Sequence, residues 1–211
     1  MFGRYSQARK IFCVGLNKTG TTSLKFALGE LGFKVGDEEK AKGLLDSWAM
    51  RDFRPIVKYC KSAEAFQDSP FSFPYTYVAL DQAFPGSKFI LTERDDPDQW
   101  VSSLINFHGK LWANGQTPTK EHLQAAFNSS PGRPWKVNRL LFDTPESDPY
   151  NREILIRFYN EYNRGIKDYF KERKMDLLVI NLNDKSSYNK FCSFLSVNPV
   201  REVFPKLNSS H

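Results

Sequence analysis

"GLNKTGTT", residues 15–22, stands between the apolar run Ile11-Phe12-Cys13-Val14 and Ser23-Leu24-Lys25-Phe26-Ala27-Leu28. A strand, a turn bracketed by Gly15 and Gly20, and a helix start together make a cradle for an anion. The glycines let the backbone wrap the ligand, and the helix adds unpaired N–H donors and a positive dipole end. Thr19, Thr21, Thr22 and Ser23 bring hydroxyls to the same point. A nucleoside triphosphate loop reads GxxxxGK[ST], with its lysine on the outer phosphates and its hydroxyl on magnesium. Here Thr21 takes the place of that lysine, and the lysine has moved upstream to position 18. The strand at 88–92 ends in Thr92-Glu93-Arg94 and does not supply a metal-holding aspartate directly. The loop therefore reads as built for an anion that travels without a magnesium ion.

Outward from the loop, strands and helical patterns alternate. Residues 10–16 read as a buried strand, with a helix from about Thr22 to Leu31 after the loop. Gly32–Gly36 is a short extended piece, and Leu44, Leu45, Trp48 and Ala49 mark one side of a helical stretch. Residues 74–84 suggest another helix, ended by the turn signal Phe84-Pro85-Gly86-Ser87. Lys88–Thr92 is the second strand, and Asp96-Pro97 starts the next helix with a cap and a proline at its first position. Residues 109–150 are rich in Gly, Pro, Ser, Thr and Asn. They are too long for an ordinary connection and read as an irregular lid or acceptor-binding segment. From Asn151 to Lys174 the apolar positions 154, 155, 158, 159, 162, 166, 169 and 170 keep a helical period, with a solvated basic face opposite. Leu177–Ile180 is a third strand and residues 186–196 a last short helix. The expected fold is one α/β domain over 1–211, a three-layer sandwich with a central, mostly parallel sheet and helices on both faces.

The composition fits that reading. With 211 residues, 40% hydrophobic and 15% aromatic, the chain is able to bury a sizeable core. No apolar run approaches the ~20 residues of a membrane-spanning helix. The opening MFGRYSQARK lacks the apolar core of a secretion signal. Cys13, Cys60 and Cys192 have no metal-like spacing and read as reduced thiols, so a cytoplasmic setting is expected. The formal charge of +6 suits an anionic ligand and gives no ground for expecting nucleic acid.

Lys18-Thr19-Gly20-Thr21-Thr22-Ser23-Leu24 resembles the 5′-phosphosulfate loop of sulfotransferases that use 3′-phosphoadenosine 5′-phosphosulfate (PAPS). The second half of their signature is a strand ending in arginine and then a helix with serine eight residues on. Phe89-Ile90-Leu91-Thr92-Glu93-Arg94 runs here to Ser102, with Asp95, Pro97 and Trp100 between. The likeness continues at Leu177–Leu182 and at Phe204-Pro205-Lys206-Leu207-Asn208. It implies sulfuryl transfer from PAPS, with PAP as product and no metal, to a small-molecule or glycan acceptor. Lys18 would neutralise charge on the bridging oxygen as it departs. Asn17 and residues 19–23 would hold the 5′-phosphate. Arg94 and Ser102 would bind the 3′-phosphate, the arginine through a charge-assisted fork, with Lys206 and Asn208 standing in for a basic segment that this chain lacks.

The acceptor's proton needs a base. The best-known cytosolic members place a histidine between the two motifs, and this chain has none there. Gln67-Asp68-Ser69-Pro70 occupies the interval instead. Asp68, ahead of the aromatic Phe71-Ser72-Phe73, reads either as a partly desolvated base or as the cap of the next turn. His108 is the reserve candidate. Phe107, Trp112 and Trp135 read as acceptor walls or as core. Two other functions stay open: a P-loop kinase or nucleotide-binding protein, and a non-catalytic PAP-binding homologue.

Overall fold

The computed structural model describes residues 9–207; Asn208 lies outside them. Four short strands form one all-parallel sheet: β1 (Ile11–Cys13), β2 (Ala65–Phe66), β3 (Lys88–Thr92) and β6 (Leu177–Ile180), in the order β2-β1-β3-β6. Successive residues alternate between faces, which the two apolar layers show. Phe12, Phe66, Phe89 and Leu91 belong to one layer, whereas Ile11, Cys13, Ile90 and Ile180 belong to the other.

The helices α1 (Thr21–Glu30) and α10 (Ser187–Leu195) cover the second layer, through Leu24, Ala27, Leu28, Tyr188 and Phe191. The first layer is covered by α3 (Leu45–Ala49), α4 (Arg54–Tyr59), α5 (Thr76–Ala83), α6 (Pro97–Trp112) and α9 (Arg152–Tyr169). The short α2 (Glu38–Lys42) joins them through Ala41. In α9 the periodic residues Leu155, Tyr159, Tyr162 and Ile166 are buried, and Arg157, Arg164 and Lys167 face solvent, as the sequence pattern implies.

Two differences from the expected order stand out. The edge strand β2 carries no signal of its own; its two residues are held beside β1, and it delivers Gln67 and Asp68 to the carboxyl edge of the sheet. The segment 109–150 is not irregular. After the end of α6 it forms α7 (Lys120–Ala125), the tight hairpin β4 (Phe127–Asn128) and β5 (Ser130–Pro131), and α8 (Arg133–Leu141). Polar capping residues hid these pieces. Thr119 and His122 make a capping box for α7, and Gly132 with Pro134 starts α8.

The strand order fixes where a ligand belongs. The chain leaves β1 toward the edge strand β2 and leaves β3 toward β6 on the opposite side. The crevice beyond the carboxyl ends of β1 and β3 is therefore the topological switch point, where open α/β sheets bind ligands. The loop 14–20 and the turn at Arg94 both open onto it.

Candidate active site

Gly15 and Gly20 shape the loop for different reasons. A Cβ on Gly15 would lie 2.0 Å from Thr92 Oγ1, so the absence of a side chain lets the loop press against β3. Gly20 has φ +104°, and a Cβ there would meet Leu182 Cδ2 at 2.6 Å. Gly20 is also the residue before α1, and no side chain caps that helix. The first bond into it runs from the Leu24 N–H to the Gly20 carbonyl at 3.0 Å. The earlier N–H groups of the first turn have no intrahelical acceptor, as at any helix start. By contrast, α6 and α9 use the side chains of Asp96 and Asn151 as caps. The start of α1, like those of α5, α8 and α10, has no side-chain cap, and it is the one beside the glycine-bracketed loop, where an N-terminus of this kind can hold an anion.

The loop residues divide by direction. Asn17, Lys18, Gly20, Thr21 and Thr22 line a cavity of about 420 Å³ at the switch point. Thr19 and Ser23 do not. The Thr19 hydroxyl donates to the Leu16 carbonyl at 2.6 Å and accepts from Thr92 Oγ1 at 2.5 Å, and its N–H points back to the same carbonyl. It braces the loop from inside, which corrects its expected place on the phosphate. Ser23 is buried, and its Oγ accepts the Leu207 N–H at 3.3 Å, tying the C-terminal stretch to the loop. Leu207 joins the cavity wall while Lys206 is exposed beside it.

Lys18 sits at φ +67°, a left-handed conformation that a non-glycine residue adopts only when its surroundings impose it. Its carbonyl accepts from Arg94 Nε at 2.6 Å, and its ammonium lies 3.5 Å above the centre of the Phe107 ring. Burial lowers its pKa to about 8, with the Arg94 charge acting the same way and Asp68 opposing. Trp100 Nε1–H donates to the Asn17 carbonyl at 2.9 Å, and the Arg94 N–H donates to the Tyr159 hydroxyl at 2.9 Å. The two sequence motifs are thereby locked into one unit.

Arg94 lines the cavity, but Ser102 is not part of that wall. Its Oγ accepts from Arg152 Nη2 at 3.3 Å, and the same guanidinium nitrogen pairs with Asp98 at 2.6 Å. The spacing from Arg94 to Ser102 brings the serine to another cation, Arg152, which no local motif singles out. Trp135 is likewise outside the wall and lies under the Arg139 guanidinium at 4.5 Å, whereas Phe107 and Trp112 are in it.

Asp68 and His108 both line the cavity. Asp68 is partly buried, has φ +60° and accepts the Ser69 N–H at 2.7 Å. Burial, reinforced by the charge of Glu38, pushes its carboxyl up to about 6. Glu38 is itself held by Lys25 at 2.6 Å. His108 Nδ1 lies 2.7 Å from the Tyr150 hydroxyl, and its ring packs on Trp112 at 4.5 Å. Burial and the Lys18 charge push it down to about 3, so it is neutral near pH 7. Sequence reasoning missed Glu38, Lys42 and Arg133, three charged residues of this wall whose stretches "DEEKAK" and "GRPW" read as ordinary polar connections.

A family model described as a sulfotransferase domain matches residues 10–211. No curated protein matches the chain.

Proposed function

The chain belongs to the sulfotransferase domain family, and from that premise we propose that it moves the sulfuryl group of PAPS to a hydroxyl or amine of an acceptor held beside Lys18. One observation carries the reading. An ammonium and a carboxyl of raised pKa line the same cavity at the uncapped start of a helix. The residues suit the donor. Free N–H groups at α1 and the Thr22 side chain fit a 5′-phosphate, Arg94 fits a second phosphate, and Leu182 closes over Gly20.

Each residue then has a defined task. Asp68 accepts the acceptor's proton as its oxygen or nitrogen bonds to sulfur. The bond from sulfur to the 5′-phosphate oxygen breaks, and Lys18 stabilises the negative charge left on that oxygen. Asp68 suits the work better than His108, because a base of pKa about 3 offers little driving force for taking a hydroxyl proton. The aromatic walls exclude water and hold the acceptor in line. Three free, buried cysteines support a cytoplasmic setting.

Titration with PAP and, separately, with Mg-ATP tests the donor. Radiolabelled PAPS offered with 4-nitrophenol as acceptor tests transfer. Binding of PAP but not Mg-ATP, with label on the phenol, is the expected result. Magnesium-dependent ATP binding with no PAP binding would replace this reading with a kinase-like one. PAP binding without transfer to a wide acceptor panel would leave a non-catalytic nucleotide-binding protein.

A further inference from the structure

Four cations line the cavity: Lys18, Lys42, Arg94 and Arg133. Lys18 and Arg94 face the donor in the reading above. Lys42 pairs with Glu39 at 2.6 Å. Arg133, the first residue of α8, is 7% exposed. Among the described residues its guanidinium joins no ion pair; Nη2 donates to Ser69 Oγ at 2.9 Å, and Nε has no partner. A buried guanidinium is a costly group to leave without a counter-ion, because it gives up hydration and gains little in exchange. The Asp68 charge, and more weakly that of Glu39, acts on this guanidinium through space, but neither carboxylate forms an ion pair or a hydrogen bond with it. Burial first, and then the Glu38 charge, push the Asp68 carboxyl upward, so the guanidinium does not offset them. Glu38, the other acid of the wall, pairs with Lys25. The same wall carries the apolar side chains of Phe73, Val137 and Leu141 together with the polar Ser72, Asn128 and Asn138.

We propose that Arg133 is an acceptor-binding residue, and that the acceptor is a compact, partly apolar hydroxy compound bearing an oxyanion that seats on this guanidinium while its hydroxyl faces Asp68. The oxyanion is a carboxylate or an ester sulfate or phosphate, the planar or tetrahedral groups that an arginine fork holds best. The inference rests on the sulfuryl-transfer reading of the same cavity and extends it to the class of acceptor. The enclosed position of Arg133 and its polar neighbour Ser69 make the site selective for one oxyanion on a small body rather than for a polyanionic surface.

Calorimetric titration with benzoate and with benzyl alcohol, which share a ring and differ in charge, tests it on the protein alone and on the protein saturated with PAP. Wild type is expected to bind benzoate about tenfold more tightly than benzyl alcohol, the gain of one charge-assisted contact. In Arg133→Gln that preference falls to less than about threefold, while PAP affinity, which reports an intact fold and donor site, is retained. Arg133→Lys keeps the charge without the fork and is expected to fall between them. Equal binding of the two probes by wild type, or a preference that survives in Arg133→Gln, would overturn the proposal. Should Arg133→Gln fail to fold, the wild-type ratio and the Lys variant decide. Absent PAP binding counts against the transfer reading alone, because the benzoate ratio is measured without PAP as well.

Discussion

The carbonyl oxygen of Lys18 accepts a hydrogen bond from Nε of Arg94 at 2.6 Å, so the loop after β1 is fastened to the turn that follows β3. Lys18 has a left-handed backbone, and while its carbonyl is taken by Arg94 its side chain reaches the Phe107 ring. One residue therefore serves two ends. Its main chain ties the loop to Arg94, and its side chain presents a cation to the cavity.

Lys18→Ala is expected to lower sulfuryl transfer by about 10²–10³-fold, the usual loss when one donor to a developing oxyanion is removed. The fold should survive, because the Arg94 bond uses the backbone and persists in alanine. Transfer rates with PAPS and a thermal melt check the two halves separately. Wild-type turnover in the variant would remove Lys18 from the mechanism.

The pH profile of kcat/KM follows from two groups. Asp68 must be ionised to take a proton, so activity rises as pH increases through about 6. Lys18 must be charged, so activity falls as pH increases through about 8. The expected curve is a bell with its top near neutrality. Asp68→Asn removes the acidic limb together with most of the rate. His108→Asn leaves that limb at about 6 whatever it does to the rate; a limb displaced in this variant would make the histidine the base.

Arg94→Ala is expected to weaken PAP by about 10–100-fold, the range for losing a charge-assisted phosphate contact. Adenosine 5′-phosphosulfate, which lacks the 3′-phosphate, should lose much less. Its residual loss measures the loosening of the Lys18 loop. Arg94→Lys keeps the charge but loses the Nε–H bond to the Lys18 carbonyl, so it should lie nearer to alanine than to wild type. Equal losses of the two ligands in Arg94→Ala would place Arg94 in the loop's support alone.

Much of this was legible because the signals were local. The apolar runs at β1, β3 and β6, the glycine-bracketed turn, Asp96-Pro97 and the stripe of α9 each declare themselves within a dozen residues or so. Lys18, Arg94 and Asp68 all line one cavity. What escaped depends on tertiary partners. The edge strand β2 exists because Ala65 and Phe66 lie beside β1, not because two residues have a period. Thr19 turned inward because Thr92 and the Leu16 carbonyl were there to meet its hydroxyl. Arg133 became a buried cation only when α8 folded over Ser69, and nothing in "PGRPW" distinguishes that from a surface turn.

Gly20→Ala separates two demands on the loop's second glycine. At φ +104° an alanine is strained by about 1–3 kcal/mol, and its Cβ also meets Leu182 Cδ2 at 2.6 Å. In a domain of this size each kcal/mol lowers Tm by about 2–4 °C, so a fall of several degrees is expected from strain alone. The clash is with the end of a flexible side chain and is relieved in the double variant Gly20→Ala, Leu182→Ala, whereas the backbone strain is not. Measured against the single variant Leu182→Ala, which accounts for the lost leucine, the double variant should recover only part of the Tm. PAP affinity should remain reduced in both alanine-20 proteins, because the first-turn N–H groups of α1 are aimed by the backbone at this residue. Full recovery of both quantities in the double variant would show that Leu182, not the left-handed turn, is what requires glycine here.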